Sequence, residues 1–146
     1  PKVILAGRET NNNMGVFVAS NLIKKMKNKN IALKGSKILI MGLSFKENCA
    51  DIRNSGVEIV IKELKKIDCE IDFYDPWVSD EEIYKTYNVY PKTNLNKNTY
   101  DGIIIAVAHQ IFKVMGIKTI RDLCKKNCVI YDLKYLFHKE DVDLRL

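Results

Sequence analysis

With 146 residues, 47% hydrophobic and 29% charged, the chain has the length and composition of one globular domain with a real core, not those of a disordered or fibrous protein. No run of about eighteen apolar residues is present to cross a membrane, and Pro1-Lys2-Val3-Ile4-Leu5 lacks the pattern of a secretory signal, so a cytoplasmic address is expected. The net charge of +6 lies largely in lysines of helix faces, such as Lys24, Lys25, Lys27, Lys62, Lys65 and Lys66, without the interleaved aromatics that a nucleic-acid surface wants, so no nucleic-acid partner is expected.

Along the chain, Met14, Val18, Leu22 and Met26 recur every four residues, with Val16 and Phe17 flanking, and this spacing predicts a long amphipathic helix from Asn11 to Asn28. A helix of that length is expected to bridge to another part of a larger protein, and an opening at Pro1 with no initiator methionine fits an excised piece. Lys34-Gly35-Ser36 breaks the pattern. Lys37 to Gly42 is then a continuous apolar run, as in a strand buried on both faces.

Further strands are predicted at Glu70–Tyr74, Gly102–Val107 and Val129–Tyr131. Between the first two, Val57, Val60, Ile61 and Leu64 share one helical face, and helices are also predicted at Glu81–Tyr87 and Ile117–Lys126. Alternating strands and helices give a doubly wound α/β fold with a mostly parallel sheet. Asn94 to Thr99 reads as a surface loop, whereas Lys139 to Leu146 carries no clear pattern.

Ligands of such sheets bind beyond the carboxyl ends of the strands. The residues there are Ser44-Phe45-Lys46, Asp75-Pro76, Ala108-His109 and Asp132-Leu133-Lys134, so two lysines and a histidine stand where an anion would sit. The first turn keeps Gly42 alone of the G-x-G-x-x-G fingerprint, which argues against ordinary NAD binding by this domain. Lys46 beside Phe45 suits a phosphate next to a flat ring, although a solvated surface lysine is an equal reading. Asp51 and Arg53 are placed to cap and brace a helix starting near Asn54, or Arg53 to point at an anion held by another domain. His109 has no nucleophile in a triad context, so a structural hydrogen-bonding role outweighs proton transfer, and His138 has less claim still. The four cysteines, Cys49, Cys69, Cys124 and Cys128, have neither zinc spacing nor the look of a secreted framework; no metal site and reduced thiols are expected.

Taken together, Leu5-Ala-Gly-Arg8-x-x-Asn11-x-x-Met14, the stretch Gly42-Leu43-Ser44-Phe45-Lys46-Glu47-Asn48-Cys49-x-Asp51-Ile52-Arg53-Asn54, Tyr74-Asp75-Pro76-Trp77 and Ala106-Val107-Ala108-His109 resemble the UDP-glucose/GDP-mannose dehydrogenase family. The likeness runs along nearly the whole chain and is strongest to the bacterial branch acting on UDP-N-acetylhexosamines. It implies an enzyme with an amino-terminal Rossmann domain for NAD, a helical connector through which subunits dimerise, and a carboxy-terminal domain for the UDP part of the substrate. Residues 1–30 would then end the connector and 31–146 form the UDP-sugar-binding domain.

The family's reaction oxidises a C6 alcohol to a carboxylate in two hydride transfers, with a thioester on a cysteine of a Gly-Gly-x-Cys motif. No cysteine here has that context, Cys49 included, so no catalytic residue is expected in this chain. By the resemblance Phe45, Lys46 and Lys134 contact the UDP-sugar, Arg53 reaches NAD across the domain interface, and Arg8, Asn11, Asp51 and His109 brace the pocket. Ala50 stands where proline is usual and Tyr135 where glycine is common. Specificity for UDP-glucose, or a non-catalytic nucleotide-binding module, are the alternatives.

Overall fold

The computed structural model describes the backbone of residues 2–53 and 55–146, and side chains from residue 13 onward with the same omission of residue 54. Arg8 and Asn11 therefore lie outside the described side chains.

The apolar run after Ser36 becomes β1 (Lys37–Met41), whose last four residues are buried. Burial on both sheet faces removes any need for polar alternation, which is why the sequence there is continuously apolar. It is joined by β2 (Glu70–Tyr74), β3 (Tyr100–Ile105), β4 (Cys124–Asp132) and β5 (Leu144–Arg145) in the order β2-β1-β3-β4-β5, every pair parallel. Strand order reverses at β1, so a crevice is expected between the loops that follow β1 and β3.

Helices α1 (Lys2–Asn28), α2 (Val57–Lys65) and α3 (Asp80–Tyr87) cover one face of the sheet, and α4 (Gln110–Asp122) covers the other. The division follows the strand period: Ile38 and Ile40 pack with Val18, Leu22, Met26 and Leu64, while Leu39 and Met41 pack with Phe112 and Ile120. Among the described residues no helix is long and apolar enough to cross a membrane.

Three expectations are corrected. Val18, Leu22 and Met26 are buried as the spacing predicts, but Met14 is 45% exposed, because the helix meets α2 through Gly15 instead. A Cβ on Gly15 would stand 2.6 Å from the Ile59 Cβ, so only glycine lets the two helices come this close. The helix expected over Ile117–Lys126 spans Gln110–Asp122, with a break at Gly116 (φ 82°), and Lys125 and Lys126 belong to β4. Cys124 and Cys128, expected to be reduced, are joined by a disulfide with their Cα atoms 5.7 Å apart. A bulge makes this possible: Tyr100 pairs with Cys124, Gly102 already with Val129, and the intervening residues of β4 loop outward. Cys49 and Cys69 are free.

The tail, which carried no pattern, is ordered by Asp143. Its main-chain N–H donates to the Ile130 carbonyl (3.0 Å), and its carboxylate accepts from Ile130 N–H, Lys29 Nζ and Arg121 Nη1 at 2.9–3.0 Å. Burial alone would raise this carboxyl's pKa; the donors around it outweigh burial and hold it below the usual range.

Candidate functional site

The loop after β1 turns at Gly42, where φ is 99° and a Cβ would lie 2.6 Å from the Val107 Cβ and 2.9 Å from its nitrogen. The glycine is thus required by the close approach of the chain leaving β3, whatever ligand lies beyond. Immediately after it, Leu43 and Ser44 donate their N–H groups to Oδ2 of Asp75 (2.7 and 3.1 Å), and Trp77 donates to Oδ1 (2.9 Å). His109 Nε2 lies 3.0 Å from Asp75 Oδ1, with both side chains fully buried. Burial pushes the Asp75 carboxyl up, but the bonds from His109, Leu43 and Trp77 together pull it below its ordinary value.

His109 therefore takes the structural role. Its Nδ1 accepts the Asn48 N–H (2.9 Å), which places the ring proton on Nε2, directed at Asp75. Ser44 Oγ is 3.2 Å from the same Nε2 and donates to the Lys46 carbonyl (2.9 Å). Ser, His and Asp meet here without forming a catalytic triad, since the nitrogen facing the hydroxyl already carries a proton and shares it with the carboxylate.

Beside this cluster opens a cleft of about 270 Å³ at the carboxyl ends of β1, β3 and β4. Ser44, Phe45, Ala106, Leu133 and Lys134 line it from the strand ends, Ser55, Gly56 and Val57 from the start of α2, and Met14, Gly15 and Val18 from α1. The Phe45 ring is 58% exposed at the rim. Lys134 is set by Asp132, which is wholly buried and accepts the N–H groups of Lys134 (3.1 Å) and Phe137 (2.9 Å). Tyr135 takes a left-handed φ of 53°, consistent with a position where glycine is common, and its ring lies under the Arg145 guanidinium at 4.1 Å. Gly56, at the N-cap of α2, brings no side-chain acceptor, and the first amides of that helix are held only by long bonds to Ser55, Val57 N–H to its Oγ and Glu58 N–H to its carbonyl, each 3.4 Å.

The structure brings Phe45 and Lys134 into one cleft; Lys46, one residue on, is exposed and does not line it. Asp51 and Arg53 do not cap α2, which begins only at Val57. Asp51 grips Arg53 instead: Arg53 Nε and Nη2 each donate to it at 3.0 Å, and the Arg53 N–H adds a third bond at 2.9 Å. The guanidinium side chain nevertheless remains 84% exposed, and it holds the Asp51 carboxyl down at about 2. Sequence reasoning passed over Ser55, Met14 and Asn48. Asn48 left a trace, an Asx residue in a polar loop, the residue class that tolerates φ of 53°.

Residues 39–139 match the profile of the UDP-glucose/GDP-mannose dehydrogenase family, UDP binding domain. The chain belongs to this family. Over its whole length it is 49% identical to the UDP-N-acetyl-D-glucosamine 6-dehydrogenase of Salmonella typhi and 47% identical to that of Pseudomonas aeruginosa, covering 34% and 35% of those proteins. It thus spans about a third of the length of these members of the family. Among solved structures, the UDP-N-acetyl-mannosamine dehydrogenase of Staphylococcus aureus is 27% identical, with a TM-score of 0.71 over 99% of this chain and 32% of that one. The NDP-N-acetyl-D-galactosaminuronic acid dehydrogenase of Methanosarcina mazei, at 20% identity, shares the fold with a TM-score of 0.79 over 97% of this chain and 30% of that one.

Proposed function

We propose that this chain is the UDP-sugar-binding part of an NAD-dependent UDP-N-acetylhexosamine 6-dehydrogenase, an enzyme that oxidises the C6 alcohol to a uronate for surface-polysaccharide precursors. The observation that carries this reading is the convergence of Phe45, Lys134 and the open start of α2 on one cleft. An ammonium and weakly bonded amides at a helix start suit a diphosphate, and an exposed aromatic ring suits a uracil or sugar face. Identity near one half to two UDP-N-acetyl-D-glucosamine 6-dehydrogenases supports an N-acetylhexosamine over glucose.

In this reading residues 1–30 end a connector through which two subunits pair, residues 31–146 hold UDP, and the amino-terminal domain holds most of NAD and the nucleophile. Lys46, on the exposed side of its loop, meets the substrate only once that domain closes over the cleft. Arg53 fits a contact with NAD: its guanidinium is braced along one edge by Asp51 and stands out from the domain. NAD supplies the hydride acceptor. This chain's own residues bind and orient the nucleotide end of the substrate, and among the described residues no cysteine lines the cleft.

Calorimetric titration of the chain tests the reading. Weak UDP binding with no heat from NAD is the expected outcome; tight NAD binding with indifference to UDP would overturn it. With the intact enzyme, NADH formation over a panel of UDP-sugars should favour N-acetylhexosamines over UDP-glucose.

A further inference from the structure

The loop that carries Phe45 and Lys46 is held at its start by Asp75, which accepts from Leu43 and Ser44, and beyond Lys46 it is gripped from behind at Asn48. Asn48 donates its main-chain N–H to His109 Nδ1 (2.9 Å), and its side-chain Oδ1 accepts the N–H of Gln110 (2.9 Å), 62 residues further along the chain. Gln110 opens α4, and His109, at the N-cap, makes no side-chain cap bond of its own. Asn48 thus caps α4 from across the crevice, while the start of α4 fixes Asn48. The same loop is closed upon itself by the Phe45 N–H bonded to the Asp51 carbonyl (2.6 Å) and by Ser44 Oγ bonded to the Lys46 carbonyl. A displacement at Asn48 therefore moves the Phe45 ring.

His109 is suited to hold this grip rather than to react. It is 0% exposed, it does not line the cleft, and its ring is packed against Trp77 (6.1 Å, stacked) and Phe112 (5.2 Å, edge-on). Asp75, the charged group bonded to it, anchors the ring from the loop after β2. Loops from β1, β2 and β3 meet in this one ring.

We propose that His109 is the positioning residue of the nucleotide cleft, its unprotonated Nδ1 holding Asn48 and thereby setting the Phe45 ring against the bound base or sugar. This rests on the reading that the cleft takes UDP. The two ring nitrogens do separate jobs, Nε2 serving Asp75 and Nδ1 serving the loop, and two substitutions divide them. In His109→Asn the amide oxygen falls near the position of Nδ1 and keeps an acceptor for Asn48 while Asp75 loses its partner. In His109→Gln the longer side chain reaches Asp75 and leaves the Asn48 N–H without an acceptor.

The experiment measures UDP affinity by calorimetry, melting temperature, and hydrogen exchange of the amides of residues 45–49 in the same samples. His109→Gln should raise the UDP Kd and speed exchange by about tenfold each, the effect of one unsatisfied amide. His109→Asn should recover most of the parental affinity and protection although it melts lower. Affinity that simply follows melting temperature across the two variants overturns the proposal. Where His109→Asn does not fold, Asn48→Gly replaces it as the variant that keeps the left-handed backbone and the N–H on His109 Nδ1 and removes only the Oδ1 cap; a loss of protection and affinity as large as in His109→Gln would overturn the assignment of the grip to Nδ1. A parent chain that ignores UDP sinks the nucleotide reading instead, and the exchange rates then decide the grip alone.

Discussion

Asp75→Asn probes the cluster that builds the crevice. The amide keeps the shape of the carboxylate but must place an NH2 where an oxygen was. Turned one way, it faces the N–H groups of Leu43 and Ser44; turned the other, that of Trp77. Each buried amide left without an acceptor costs about 1–3 kcal/mol, and the remaining bonds lose the assistance of the charge. A total of about 2–4 kcal/mol follows, a large fraction of the stability of any domain of this size, and at about 3 °C per kcal/mol it corresponds to a Tm lower by roughly 6–12 °C.

Urea unfolding followed by circular dichroism should show the midpoint moved with an unchanged slope. The pH dependence supplies a sign. The folded-state carboxyl of Asp75 lies below its unfolded value, so its stabilisation is complete above about pH 4 and is lost as pH falls through the folded value. The difference between parent and variant should therefore narrow on acidification. A loss below about 1 kcal/mol at neutral pH, or a gap that widens in acid, would refute the reasoning.

Gly15→Ala should destabilise the chain by about 1–3 kcal/mol in chemical denaturation despite alanine's better helix propensity, because the new Cβ meets the Ile59 Cβ and Cγ2 at 2.6 and 2.7 Å; a gain in stability would mean that α1 stands off α2. Lys134→Ala should weaken UDP binding about tenfold by calorimetry, with Lys134→Arg retaining most of it, whereas equal losses would move Lys134 away from the phosphates. Thiol titration of the unfolded chain without reductant should count two reactive groups among its four cysteines, Cys49 and Cys69, and all four after reduction. In the intact enzyme Lys46→Ala should lower kcat/KM for the UDP-sugar, while the UDP affinity of the chain alone stays within about twofold, since Lys46 lies outside the cleft.

The parts of the fold visible in the sequence are those governed by local pattern. β2 spans Glu70–Tyr74 as expected, its Ile71, Phe73 and Tyr74 set among Glu70 and Asp72, and α2 follows the stripe of Val57, Val60, Ile61 and Leu64. α4 was displaced because Ile111 and Val114 point outward, at 41% and 75% exposure, and blur the helical period, while Gly116 interrupts the turn within it. β5 was invisible because two residues make no periodicity; Asp143, just before them, places them through its bonds to Ile130, Lys29 and Arg121. At the candidate site, the rule that ligands sit beyond strand ends pointed to Phe45 and Lys134, which line one cleft. It located His109 as well, but whether that ring binds, reacts or braces depends on what each nitrogen faces, and that is decided by Asn48 and Asp75, 61 and 34 residues away.

The sheet also leaves little for another strand to join. One border is β5, only two residues long. The other is β2, which carries Glu70 and Asp72 and whose Phe73 carbonyl is already taken by the Lys92 N–H at 2.7 Å. Open borders of this kind recruit foreign strands when they are long, flat and apolar. Among the described residues both are short or occupied, which discourages copies of the chain from zipping together edge to edge. That bias against aggregation is written into the residues at the borders of the sheet, outside the lining of the cleft and independent of it.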